Sequence, residues 1–150
     1  MHESHPSLTP RLGISACLLG EPVRFNGGHK RSALCEELAR HVEFVSFCPE
    51  QAIGLGTPRP AIRLEGTPEA AEARSRDGLA VGGALAEYAR RVAQRADTLD
   101  GFIFMQRSPS CGLQRVKVYP EGGGAPRAEG RGRFAAALCE ALPELPVEEE

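Results

Sequence analysis

The chain has 150 residues, of which 41% are hydrophobic, 25% charged and 5% aromatic, with a formal charge of −2 at pH 7. That length predicts one domain burying roughly two-thirds of the surface its unfolded form would expose. The near-neutral charge excludes bulk attraction to nucleic acid or an anionic membrane, and the absence of Trp argues against a stacking platform for single-stranded nucleic acid.

Residues 1–10 are polar, carry Pro6 and Pro10, and read as a flexible N-terminus in which His2 and His5 are inert; 11–150 read as a single domain. Met1 to Pro10 lacks the basic start and apolar core of a signal peptide. No apolar run approaches the ~20 residues of a membrane helix, so no membrane partner is expected and the expected location is the cytoplasm. Five cysteines, an odd number, in a reducing compartment point to metal binding or catalysis before disulfides.

The first expected strand, Gly13-Ile14-Ser15-Ala16, runs into Cys17 and then Leu18-Leu19-Gly20-Glu21-Pro22. The loop that follows contains Asn26-Gly27-Gly28-His29-Lys30-Arg31. A Gly-rich stretch before a helix can present backbone N–H groups to an anion, although this one matches neither the Rossmann fingerprint nor the P-loop, and a solvated basic turn is an equal reading. Ser32 is placed to cap a helix through His41, whose apolar stripe Cys35, Leu38, Ala39 and Val42 makes Cys35 a small core residue.

Val42 to Phe47 reads as a second short strand ending in Cys48-Pro49-Glu50. Gly54 to Pro60 holds two Gly and two Pro and must be a shaped loop. Arg59 within it, between prolines, is available to a carboxylate, phosphate or carbonyl edge, with a solvated side chain as the plain alternative. Ala61-Ile62-Arg63-Leu64 reads as a brief strand and Glu65 to Gly78 as a polar linker. A helical pattern runs from about Leu79 to about Ala96, with Leu85, Tyr88, Ala89 and Val92 facing inward. Gly101 to Met105 is wholly apolar, as in a strand covered on both faces, and breaks into Gln106-Arg107-Ser108-Pro109-Ser110-Cys111-Gly112. Val116 to Tyr119 alternates as a strand, Pro120 to Gly132 reads as a flexible loop, and Phe134 to Leu142 as a last helix with Cys139 in its core face. Leu145-Pro146-Val147 closes into the acidic tail Glu148-Glu149-Glu150. Helices alternating with short apolar strands predict an α/β fold: a single three-layer domain with a small, mainly parallel sheet and Rossmann-like βα units.

Cys17, Cys48 and Cys111 each end an apolar run and enter a loop, the position where open α/β sheets place ligands. None lies in a CxxC pair, so a zinc ribbon or thioredoxin site is excluded. Three such thiols suit either a zinc site with one open position or an iron–sulfur cluster with one iron lacking a protein ligand; three buried structural cysteines are the plain alternative. An all-thiolate set suits iron–sulfur chemistry somewhat better. Glu50 is a candidate general acid or base and Ser108 a candidate donor or proton relay. His29, Lys30, Arg59 and Ser110 stand as candidate substrate-binding residues.

Ser15-Ala16-Cys17-Leu18-Leu19-Gly20, Asn26 to Arg31, Cys48-Pro49-Glu50, Gly54 to Pro60 and Ser108-Pro109-Ser110-Cys111-Gly112 occur together in this order. The combination resembles the thiouracil-desulfidase family, long catalogued as a domain of unknown function, over about residues 12–148. The resemblance implies a 4Fe–4S cluster held by Cys17, Cys48 and Cys111, whose open iron takes the sulfur of a thiolated pyrimidine without net redox change. It also implies acid–base roles for Glu50 and Ser108. Two departures bear on specificity: many relatives have Lys where Met105 stands, and Pro-Pro-Ala-Glu where this chain has Pro60-Ala61-Ile62-Arg63. The segment from Phe134 to Glu150 resembles longer fusion relatives acting on 4-thiouridine in tRNA, which extends the implied substrates from the free base to a thiolated nucleoside or tRNA. The rival classes are an iron–sulfur electron-transfer module and a three-cysteine zinc hydrolase.

Overall fold

The structure, a computed structural model, describes residues 9–95 and 98–150. Residues 1–8 of the expected N-terminal segment, with His2 and His5, and the expected helix end at Ala96 lie outside them. In chain order the elements are β1 (Arg11–Ser15), α1 (Ala33–Leu38), β2 (Glu43–Phe47), α2 (Pro49–Ala52), β3 (Ile62–Thr67), β4 (Ala70–Ser75), α3 (Gly82–Ala93), β5 (Gly101–Phe104), β6 (Val116–Tyr119), β7 (Arg127–Gly130), α4 (Arg133–Ala141) and β8 (Val147–Glu149).

The apolar strands assemble as their composition demands. β2-β1-β5-β8 form a four-stranded sheet whose every pairing is parallel. On one face Phe102 and Phe104 of β5 stack with ring centroids 4.3 Å apart and meet Phe134 of α4 at 6.0 and 6.1 Å, within the range of favourable aromatic pairs. On the other, Ile14, Leu18 and Cys35 form a second buried cluster with Ile103 and Phe44 against it. With both faces covered, β5 carries no polar residue to betray a solvent side. The α/β class and the parallel sheet are as the sequence predicts. Ser32 also caps α1, its hydroxyl accepting the Cys35 N–H at 3.2 Å.

Three readings of the chain are corrected, two of them by a second four-stranded sheet, β4-β3-β6-β7. The brief strand expected at residues 61–64 is the start of β3, and the stretch read as a polar linker completes it and returns as β4, an antiparallel hairpin paired from Ile62↔Ser75 to Thr67↔Ala70. Its inward residues on β4 include Ala73 and Ser75, too small and too weakly strand-forming to show as a period-two pattern. Part of the expected Gly-rich loop is β7, held antiparallel to β6. The acidic tail is β8, an edge strand paired parallel with β5 from Phe102↔Val147 to Phe104↔Glu149. Leu64 of β3, Val116 and Val118 of β6, Leu85 and Ala89 of α3, and Phe134 and Leu138 of α4 are each 2% exposed or less and join Phe102 and Phe104 in one cluster spanning both sheets. Among the described residues no helix is long and apolar enough to cross a membrane.

The start of α4 is built onto the Ser108–Gly112 turn. Helix N-termini leave N–H groups without intrahelical partners. Here Gly132, Arg133 and Ala135 donate theirs to the carbonyls of Gly112, Pro109 and Ser110 at 2.7, 2.9 and 3.0 Å. The approach is so close that a methyl on Gly132 would lie 2.7 Å from the Cys111 nitrogen. Gly132→Ala is therefore expected to cost about 1–3 kcal/mol by overpacking. Gly83→Ala, on the exposed side of α3 with nothing within 4 Å, is expected to be neutral or to stabilise by about 0.5–1 kcal/mol. Urea unfolding of both variants measures the difference.

Candidate active site

Three strand ends deliver three thiols. Past β1 the chain tightens into a 3-10 turn, Ala16–Leu19, closed by Gly20 at φ 87°, and Cys17 sits in that turn. Past β2, Cys48 takes the cap position of α2 with Pro49 in the first turn, where a missing N–H costs nothing. Past β5, Ser108 folds the chain back: its Oγ accepts the N–H groups of Ser110 at 3.1 Å and Cys111 at 3.0 Å. β1 leads outward to β2 on one side while β5 lies on its other side, so the ends of β1 and β5 flank a crevice at a switch in sheet order.

That crevice is a cavity of about 170 Å³ lined by Cys17, Cys48 and Cys111 together with Glu50, Arg59, Ser108 and Ser110. Seven of the nine candidate residues thus share one wall. His29 is exposed and outside it, and Lys30 lines a neighbouring depression with Arg24, Arg31 and Arg107. Cys35, 1% exposed, packs with Ile14 and Leu18, and half-buried Cys139 lies against the larger core.

The polar wall is a closed network. Glu50 Oε1 accepts from Arg59 Nε at 3.0 Å and its Oε2 accepts from Ser110 Oγ at 2.7 Å. Arg59 Nη1 donates to the Gly56 carbonyl at 2.7 Å and to Thr57 Oγ1 at 3.0 Å. The Arg59 and Glu50 side chains are 3% and 14% exposed. Arg59 and Ser110 therefore spend hydrogen bonds on the carboxylate, whereas the Ser108 oxygen accepts two N–H groups and keeps its own proton to donate.

The thiols are held where ionisation is costly. Burial pushes Cys17 up to about 11, the nearby Cys48 charge adds to this, and Arg24 opposes it. Burial raises Cys48 as well, against the Gln51 N–H and Arg59. Burial drives Cys111 further still, with a hydrogen bond from Ser15 opposing and Glu50, Cys17 and Cys48 adding. Two buried thiols and one half-buried thiol, with Cys17 and Cys111 raised further by their neighbours' charge, call for a cationic partner before all three can be thiolates. They do not close on one point: among the described residues no three His, Cys, Asp or Glu side chains gather around a single metal ion.

Several wall residues lie outside the candidate site residues. Ser15, 3% exposed, accepts the Met105 N–H at 2.9 Å and so ties the ends of β1 and β5. Its signal was its place as the last strand residue before Ala16-Cys17. Met105 Sδ receives the Cys17 thiol at 3.0 Å. Arg24, Phe25 and Arg107 complete the mouth, Arg107 at φ 62°, a conformation uncommon outside glycine.

This arrangement has known counterparts. Residues 12–150 match the 2-thiouracil desulfurase family. The chain belongs to that family. The uncharacterized protein YbbK of Bacillus subtilis (strain 168) is 33% identical over 107 residues, 66% of this chain and 71% of that protein. A solved structure, the 4Fe–4S-dependent thiouracil desulfidase TudS, superposes with a TM-score of 0.74 at 29% identity, covering 95% of this chain and 91% of that one.

In this member of the family, Arg59→Gln leaves a buried carboxylate without its counter-charge and is expected to destabilise by about 3–5 kcal/mol. Adding Glu50→Gln, which removes the stranded charge, should restore part of that loss. Urea denaturation of the single and double variants reads the coupling, and additive losses would show that the pair is not a unit.

Proposed function

We propose that this protein is an iron–sulfur-dependent desulfidase that hydrolyses the thiocarbonyl of a thiolated pyrimidine. The observation that carries the reading is the meeting of Cys17, Cys48 and Cys111 with Glu50, Arg59 and Ser108 around one small cavity in a chain of this family. A solved relative's being a 4Fe–4S-dependent thiouracil desulfidase supports it.

The donor set fits the group. Soft thiols spread around a cavity suit a multi-atom iron–sulfur cluster, whereas a lone zinc ion needs its sulfur ligands about 2.3 Å from one centre. Cys17, Cys48 and Cys111 would hold it, and its positive iron would offset the cost of burying three thiolates. When bound, a cluster with three cysteine ligands offers one iron as a soft Lewis acid for the substrate sulfur.

The side chains then divide the proton work. Glu50, its oxygens already aimed by Arg59 and Ser110, retains lone pairs to accept a proton from water. The water oxygen bonds to the thiocarbonyl carbon and gives up its second proton to the departing sulfur as the carbon–sulfur bond breaks, so that hydrosulfide leaves, Glu50 passes the first proton to solvent, and no atom is oxidised or reduced. Ser108 donates its free O–H to the charge that develops on the ring or the departing sulfur. A cavity of about 170 Å³ lies below the ~300–1,000 Å³ of pockets for drug-sized ligands, which favours a single ring. The neighbouring depression of about 620 Å³, with Arg24, Lys30, Arg31 and Arg107, would receive the sugar and phosphate of a nucleoside, nucleotide or tRNA.

Anaerobic reconstitution followed by loss of thione absorbance from 2- and 4-thiouracil tests the reading; iron-loaded protein that turns over neither base nor any thiolated nucleoside would sink it. Replacing Cys17, Cys48 or Cys111 by Ser should abolish the brown chromophore. Cys35→Ser should keep it while costing about 1–3 kcal/mol for the buried hydroxyl. Glu50→Gln keeps size but cannot accept the proton, so full cluster content with turnover reduced ~10²–10⁴-fold is expected.

A further inference from the structure

One aromatic ring stands apart from the others. Phe102, Phe104 and Phe134 are buried in the core, and Phe44, Phe47, Tyr88 and Tyr119 are half-buried. Phe25, at 38%, is the one exposed aromatic side chain among the described residues, and it lines the cavity of the three thiols. Nothing in the core needs it there, and leaving its ring wet forgoes the stabilisation of burial.

Its backbone is nevertheless held firmly. Arg24 N–H donates to the Gly28 carbonyl at 3.0 Å, Gly27 N–H to Arg24 at 2.8 Å, and Gly28 N–H to Asn26 Oδ1 at 2.8 Å, closing the turn that carries the ring. The Phe25 carbonyl accepts the Arg59 N–H at 2.7 Å, so the residue whose guanidinium aims Glu50 also fixes this turn. The Arg24 guanidinium lies 5.8 Å from the ring centroid. A wet aromatic face on a fixed turn, beside a small cavity, is suited to stacking on a flat ring.

We infer that Phe25 is a specificity-determining residue, the platform on which the pyrimidine ring stacks. The inference rests on the desulfidase reading and adds to it a means by which a planar heteroaromatic ring is chosen over a non-planar thioamide of similar size. Hydrogen bonds alone would not make that choice, since both kinds of molecule present similar polar edges.

The test uses cluster-loaded protein and equilibrium dialysis with uracil, the desulfurised ring, alongside turnover of 2-thiouracil. Stacking of one base on one aromatic corresponds to roughly five- to hundredfold in affinity. F25A and F25L should both weaken uracil binding within that range and raise KM in parallel, with kcat little changed and the cluster absorbance intact. F25W should restore binding, and as the only Trp in the chain it should change fluorescence on saturation with uracil. F25L binding as tightly as wild type would overturn stacking in favour of simple apolar cover. F25A binding as tightly as wild type would remove Phe25 from the site while leaving the desulfidase reading intact. Wild-type protein that neither binds uracil nor consumes thiouracil would bring down that reading and this inference together.

Discussion

The cavity depends on one buried charge pair. Arg59 and Glu50 meet at 3.0 Å with the guanidinium almost wholly out of water. Burying two charges costs several kcal/mol per ion unless geometry and further hydrogen bonds offset it. The offset is visible in the Gly56 carbonyl, the Thr57 hydroxyl and the Ser110 hydroxyl, each supplying one more bond. Each of these partners lies on a loop that forms the wall, and the Arg59 N–H brings in the loop of Phe25 as well. The pair is thus less a source of net stability than a device that gives α2 and three loops a common reference point.

The sheet supplies the rigid side of the same construction. Parallel strands end in register, so β1, β2 and β5 bring their following residues to one edge without any loop having to reach far. Ser15 then links the ends of β1 and β5, and α4 holds the Pro109 to Gly112 turn through its own unsatisfied N–H groups. The thiols inherit a precise placement in surroundings hostile to their ionised form. Burial raises Cys17 and Cys111, so a cationic group bound there must offset the cost of ionising them, and its binding releases their protons.

What was legible in the sequence follows the range of the interactions. β6 shows its alternation because Val116 and Val118 face the core while Lys117 faces water. The thiol positions were legible because each closes an apolar run at a Pro or Gly break. The start of β3 was legible, but its continuation and β4 were hidden by Pro68 and by small inward residues, and β8 by its glutamates, because its strand state comes from pairing with β5 rather than from its own composition. The site network was hidden for a different reason. Glu50 to Ser110 spans 60 residues and Met105 to Ser15 spans 90, and no local pattern encodes a hydrogen bond at that distance.

Net charge misled in an instructive way. A total of −2 describes the average molecule, and an average says nothing of where the charges lie. Arg24 and Arg107 stand at the cavity mouth, and beyond them lie Lys30 and Arg31. Among the described residues Arg24, Lys30 and Arg107 carry no ion pair. The acids near this end are otherwise engaged: Glu149 accepts the Leu113 N–H at 2.7 Å, Glu150 accepts the Ser32 hydroxyl, and Glu36 holds Arg31. Glu150 also lines the neighbouring depression and Glu50 the cavity, so the entrance carries an excess of basic charge rather than a single sign, felt over about 8 Å at physiological ionic strength. An approaching anion therefore meets a basic entrance on a protein whose overall charge would repel it.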